Sequence, residues 1–180
     1  MNNSKTSDSL HMTAYASLLA ALTAVGAYIA IPIGPVPIVL QNLFVYLMGL
    51  VLGSRWGLAA IGAYLLAGAV GLPVFAGGKG GLGHLIGPTG GYLIGFVPAV
   101  AIIGFLTEKT KHQLLIAILS LILATAIIYT CGVSWLSIVT NMTMDKAFMV
   151  GMVPFLPGDL IKIVAALIIG WKLRPILQTN

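Results

Sequence analysis

From Leu114 to Leu136 the chain carries no charged side chain, and most of its residues are aliphatic or aromatic. A helix needs about 20 consecutive, mostly apolar residues to cross a bilayer. Similar runs extend from Leu10 to Ile31, Ile38 to Leu52, Trp56 to Val70, Tyr92 to Leu106 and Pro157 to Leu173. Each ends at a recognisable interruption. Three prolines in Pro32-Ile-Gly-Pro-Val-Pro37 forbid continuation of the first helix. Gly53-Ser54-Arg55 turns the second, and Glu108, Lys109, Lys111 and His112 follow the fourth. Only 7% of the residues are charged, against about 25% in an ordinary soluble domain. The sequence therefore predicts an all-α integral membrane protein. It is expected to be a six-transmembrane-helix bundle forming a single domain over 1–180, with a polar N-terminal tail over 1–9.

Charge placement gives the orientation. The net charge of +5 is spread over basic residues scattered between apolar runs, which argues for topology rather than nucleic acid. With the N-terminus cytoplasmic, that side collects Lys5, Arg55, Lys109, Lys111, Lys172 and Arg174, whereas the opposite side keeps Lys79 and Lys146. Both termini are thus expected in the cytoplasm of a cell-membrane protein. The apolar run after the N-terminus continues past the length of a signal-peptide core and lacks a cleavage site, so no cleavage is expected. Cys131 stands alone, which excludes an intramolecular disulfide and argues against a cysteine metal site.

The connection from Gly71 to Gly91 differs from the other loops. It is rich in glycine, which suits a backbone that folds tightly or approaches something closely, and it is too apolar for a disordered linker. By the charge rule it faces outward, as a lid or wall over a small-molecule pocket. Lys79 is its only cation. The amides of Gly77, Gly78, Gly80 and Gly81 around it suggest an anion-binding concavity. His84 reads as an interfacial loop histidine or as an acid–base group. Gly81-Leu-Gly83 and its surroundings lack the spacing of a dinucleotide fingerprint, and Gly80 follows Lys79 where a phosphate loop needs Ser or Thr. No motif for ATP hydrolysis is present, and no cofactor is expected.

Asp159 is the exceptional acid. It opens the last apolar helix in Pro157-Gly-Asp-Leu-Ile-Lys162, and at i and i+3 it shares a helix face with Lys162. Ionisable side chains at membrane depth pair or face a cavity, and mark functional sites by default. An N-cap aspartate with a snorkelling lysine is the plainer alternative. As a pair, the two offer acceptor oxygens and a donor to a ligand whose N–H groups flank a carbonyl. Gln41 reads as a pocket residue or a turn cap. Tyr92 adjoins the glycine segment and is a candidate contact. Tyr15, Tyr28, Tyr46, Trp56, Trp135 and Trp171 read as interfacial anchors. Small residues recur at Ala16, Ala20 and Ala24, at Ala59, Ala63, Ala67 and Gly71, and at Gly49, Gly53 and Gly57. Such stripes let helices pack closely. The first-helix stripe, on a terminal helix, is the candidate interface for an external partner.

Together, Pro35-Val-Pro-Ile-Val-Leu-Gln-Asn42, Gly71-Leu-Pro-Val-Phe75, Gly77-Gly-Lys-Gly-Gly81, Gly87-Pro-Thr-Gly-Gly-Tyr-Leu-Ile-Gly95 and Pro157-Gly-Asp-Leu-Ile-Lys162 resemble the BioY family. Its members are biotin-binding substrate subunits (S components) of energy-coupling-factor (ECF) transporters. The resemblance covers nearly the whole chain in order. It implies an outward-facing pocket containing Asp159 and Lys162, and a function in biotin uptake without covalent catalysis. It also implies two kinds of partner: a transmembrane coupling subunit and two ATP-binding-cassette ATPases. Some family members carry Asn where Lys79 stands, and some carry Arg where Leu93 stands. An apolar wall such as Phe75 and Leu82 would suit the ligand's thioether ring and chain. Three alternatives are weighed against this reading. They are an S component for another vitamin, a proton-coupled carrier using Asp159, and an intramembrane enzyme pairing His84 with Asp159.

Overall fold

The computed structural model describes residues 2–110 and 113–178, with side chains described between 9 and 174. Lys111 and His112 lie outside the described residues, as do the side chains of Lys5 and Asp8. The first helix, α1 (Asn2–Tyr28), begins earlier than expected. The stretch anticipated as a polar tail is helical because nothing breaks it: the first glycine is Gly26 and the first proline Pro32. Two short strands, β1 (Ala30–Ile31) and β2 (Ile38–Val39), flank the triple-proline turn, paired antiparallel as Ala30↔Val39 and Ile31↔Ile38. Sequence alone had shown only a break here.

Helix α2 (Gln41–Leu47) runs into a wider π turn, Met48–Leu52, and α3 (Gly53–Ala69) follows without a loop. The two are nonetheless antiparallel. In a straight helix Gln41 and Tyr64 would lie roughly 34 Å apart at 1.5 Å per residue, yet Gln41 Nε2 donates to the Tyr64 hydroxyl at 2.9 Å. The reversal is made at Gly53, whose φ of 75° lies in the left-handed region. A Cβ there would also run into the carboxylate of Glu108, which accepts from the Ser54 amide and hydroxyl, both at 2.9 Å. The turn expected at Gly53-Ser54-Arg55 is therefore present. It is made within the helical run and held by an acid from another helix.

After the glycine segment, with its single turn α4 (Leu82–Leu85), come α5 (Gly90–Lys109) and α6 (Leu114–Thr140). Helix α6 outruns its expected end by a turn and stops at Asn141, which takes the left-handed conformation. An amphipathic helix α7 (Met144–Gly151) and a 3-10 turn, Val153–Phe155, lead into α8 (Leu156–Gln178). Among the described residues, five helical runs are long and apolar enough to cross a membrane. The fold-back at Gly53 divides one of them, which gives six apolar segments.

Small residues set the close approaches. Gly49 packs against Ile103, and Gly57 against Val100 and the Met48 carbonyl. The first-helix stripe, expected to meet a partner, is buried at Ala16 and half-buried at Ala20 and Ala24. Ala16 is 6% exposed, and Ala20 and Ala24 pack against the same core. Ala59 and Ala63 of α3 instead lie on the surface. Tyr46, expected as an interfacial anchor, is fully buried and bonded to Thr125 at 2.8 Å. One end of the bundle gathers Arg55, Glu108, Lys109 and Arg174; the other carries the glycine segment and the β1–β2 turn.

Candidate ligand-binding cavity

At the end away from the basic cluster, an open cavity lies among α2, α5, α6, α8 and the glycine segment, with about 510 Å³ of empty space when the solvent at its mouth is included. Its apolar walls include Val36, Val39, Leu93, Phe96 and Phe155. Polar groups reach it from several directions: Gln41 and Asn42 of α2, His84 and Thr89 of the glycine segment, Tyr92 of α5, Tyr129 of α6 and Lys162 of α8. A concave, mostly apolar space with a few convergent polar groups is the usual form of a small-molecule site.

The buried ionic pair is the chemical centre. Lys162 Nζ donates to Asp159 Oδ1 at 2.8 Å, and both residues are buried. The other oxygen, Asp159 Oδ2, accepts from the Tyr129 hydroxyl. Asp159 thus stands behind Lys162 and Tyr129, which form the cavity surface. Placing two charges in an apolar bundle is costly unless the pair is well made and its remaining valences are satisfied. Here a neutral hydroxyl supplies the third contact.

Tyr92 is fixed at its hydroxyl and along its ring. Its hydroxyl donates to the Gly151 carbonyl at 2.8 Å. A Cβ on Gly132 would overlap its ring, and one on Gly151 would strike its hydroxyl. Gln41 is buried, with its amide nitrogen committed to Tyr64, whose hydroxyl donates to the Val74 carbonyl at 2.9 Å.

The glycine segment is built differently from the sequence-based expectation. Gly77 N donates to Ala27 O, Gly78 N to Phe75 O, and Gly81 N to Gly68 O. Three of the four amides expected to form an anion concavity around Lys79 thus donate to backbone carbonyls. Lys79 pairs with Phe75 through the backbone, and its side chain is exposed and outside the cavity lining. Gly78 packs under Tyr28, and Gly80 presses against the backbone at Leu72. Phe75, expected as wall, is fully buried one layer back, edge-on to Tyr64 and stacked on His84 at 5.4 Å between ring centres. Leu82 is 66% exposed and does not line the cavity.

Among the expected site residues, then, Gln41, Tyr92, His84 and Lys162 line the cavity, and Asp159 backs it. His84 bonds to Thr89 at 3.0 Å and is not a partner of Asp159, so the acid–base pairing weighed for an enzyme is not made. Sequence reasoning missed Tyr129, Thr89 and Tyr64. A hydroxyl within the charge-free α6 was the available signal for Tyr129.

A family model described as the BioY family matches residues 1–179. The chain belongs to the BioY family. It is 46% identical over 159 residues to the "Biotin transporter BioY" of Thermotoga maritima, covering 88% of this chain and 93% of that one. It is 42% identical over 158 residues to the "Probable biotin transporter BioY" of Pyrococcus horikoshii, with the same two coverages. A crystal structure of "the S-component for biotin from an ECF-type ABC transporter" superposes with a TM-score of 0.89 at 31% identity, covering 97% of this chain and 95% of that chain. BioY membership makes this a multi-pass membrane protein of a transporter family rather than an enzyme. The six-segment bundle is the S-component fold.

Proposed function

We propose that this chain binds biotin from the outer side of the cell membrane and serves as the substrate subunit of an ECF transporter. Two ATP-binding-cassette ATPases supply the energy through a transmembrane coupling subunit. The observation that carries the reading is the Lys162–Asp159 pair, buried at the wall of an apolar cavity beside Tyr129. Biotin's ureido ring has two N–H donors around one carbonyl. Lys162 has a donor for that carbonyl, and Asp159 behind it holds that ammonium in place and balances its charge. Gln41, its nitrogen held by Tyr64, offers its amide oxygen. Leu93, Phe96 and Phe155 flank the thioether ring and chain, and Tyr92 closes the space between them.

The names of the related proteins support biotin over another vitamin. The gathering of Arg55, Lys109 and Arg174 at the end opposite the cavity supports an outward-facing mouth with both termini inside. Calorimetric titration of the purified protein with biotin, thiamine, riboflavin and folate tests the ligand. Saturable binding of biotin alone is expected; preference for any other vitamin would reassign the site. Uptake by vesicles containing the coupling subunit and ATPases is expected to require ATP.

A further inference from the structure

Resting on that reading, the remaining question for an anionic ligand is where its carboxylate ends. If the ureido ring lies against Lys162, the flexible chain carries the carboxylate elsewhere in the cavity, where His84 and Thr89 of the glycine segment are among the lining residues. Lys79, the only cation of the glycine segment, does not line the cavity, and the amides of Gly77, Gly78 and Gly81 near it donate to backbone carbonyls. His84 is half-buried, with its ring held flat on Phe75 at 5.4 Å and Nε2 at 3.0 Å from Thr89 Oγ1. Phe75 is fixed in turn by Tyr64 and by Gly68, where a Cβ would enter its ring. The imidazole is thus a preorganised group with one nitrogen occupied and the other available.

We propose that His84 is the carboxylate contact of this chain, and that it takes up a proton when the anionic ligand binds. In the imidazolium, Nε2–H donates to Thr89 Oγ1 and Nδ1–H donates to the ligand carboxylate, so both ring donors are satisfied. Without ligand, burial first and the charge of Lys79 second hold His84 below its usual range. A carboxylate beside it reverses the balance and raises it. The other titratable groups around this space do not compete. The Tyr64 and Tyr92 hydroxyls donate to backbone carbonyls, and Lys162 is paired with Asp159. The sign follows directly. A group that gains a proton on binding makes affinity rise as pH falls through its bound-state pKa, levelling off below its free-state value. Carboxylic acids of this kind ionise near pH 4–5, so the ligand itself stays charged from about pH 6 to 8.

The test titrates purified protein with biotin and with uncharged biotinamide between pH 6 and 8. Biotin is expected to bind at least about threefold tighter at pH 6 than at pH 8, with a limit of tenfold per pH unit. Biotinamide should change less than about twofold, and His84→Gln should flatten the biotin profile. Calorimetry of the unmodified protein in two buffers of different ionisation enthalpy should show net proton uptake with biotin and none with biotinamide, which removes any dependence on the variant's folding. Flat biotin affinity, no proton uptake, or parallel profiles for the two ligands would overturn the assignment while leaving biotin binding intact. Failure of both ligands to bind at any pH would overturn the functional reading and this inference together.

Discussion

Tyr129 and Asp159, on different helices, share a hydrogen bond in which the phenol donates to the carboxylate oxygen that Lys162 leaves open. Tyr129 also lines the cavity, so it both holds the acid and borders the ligand space. Replacing Tyr129 with Phe keeps the ring and removes the donor. A buried acceptor deprived of its partner costs about 1–3 kcal/mol, so biotin affinity should fall roughly 5- to 150-fold. Calorimetric titration measures it. An unchanged dissociation constant would mean that Asp159 is held adequately by Lys162 alone.

The pair itself has a distinctive stability pattern. Removing one member of a buried ion pair leaves an uncompensated charge and typically costs about 3–5 kcal/mol, whereas replacing both by neutral groups is often tolerated. Asp159→Asn and Lys162→Met should each lower the unfolding temperature in detergent. The double variant should be more stable than either single one, yet it should not recover biotin binding. A double-mutant cycle on both readouts separates the two roles. Recovery of binding in the double variant would remove the pair from the ligand site and leave it a purely structural feature.

Glycines in the same helix should respond oppositely. A Cβ on Gly68 would enter the ring of Phe75, which carries His84, while a Cβ on Gly62 meets open space. Gly68→Ala should therefore destabilise the protein by about 1–3 kcal/mol through overpacking, and loosen the His84 wall. Gly62→Ala should stabilise it by about 0.5–1 kcal/mol, the ordinary gain of alanine over glycine in a helix. Thermal unfolding of both variants decides the matter, and equal shifts would place Phe75 elsewhere.

The helices and the Asp159–Lys162 pair were legible in sequence because bilayer length, proline and charge leave few alternatives. The pair sits one helical turn apart, so its meeting needs no tertiary information. The contacts of Tyr129 and Tyr92 were not legible, since each joins helices whose mutual rotation no local pattern specifies. Lys79 is the one cation in its segment, a sequence fact, but its exposure and its place outside the cavity lining follow from a backbone path fixed by the Phe75–Lys79 pairing and by amides that donate to Ala27 and Gly68. The fold-back at Gly53 was visible as a turn, but the acid that stabilises it, Glu108, lies far along the chain.

The small-residue stripes give the last expectation. Ala16 is buried within the bundle, whereas Ala63 on α3 lies on its surface. Ala16→Leu inserts bulk into a packed interior and should cost about 1–3 kcal/mol, lowering thermal stability before any partner is added. Ala63→Leu adds an apolar side chain to an exposed face of α3 and should leave both stability and biotin binding within error. Co-purification with the coupling subunit then becomes informative only for Ala63→Leu, because a defect in Ala16→Leu has a cause inside this chain. Normal stability in Ala16→Leu, combined with loss of the coupling subunit, would return the first-helix stripe to the partner interface.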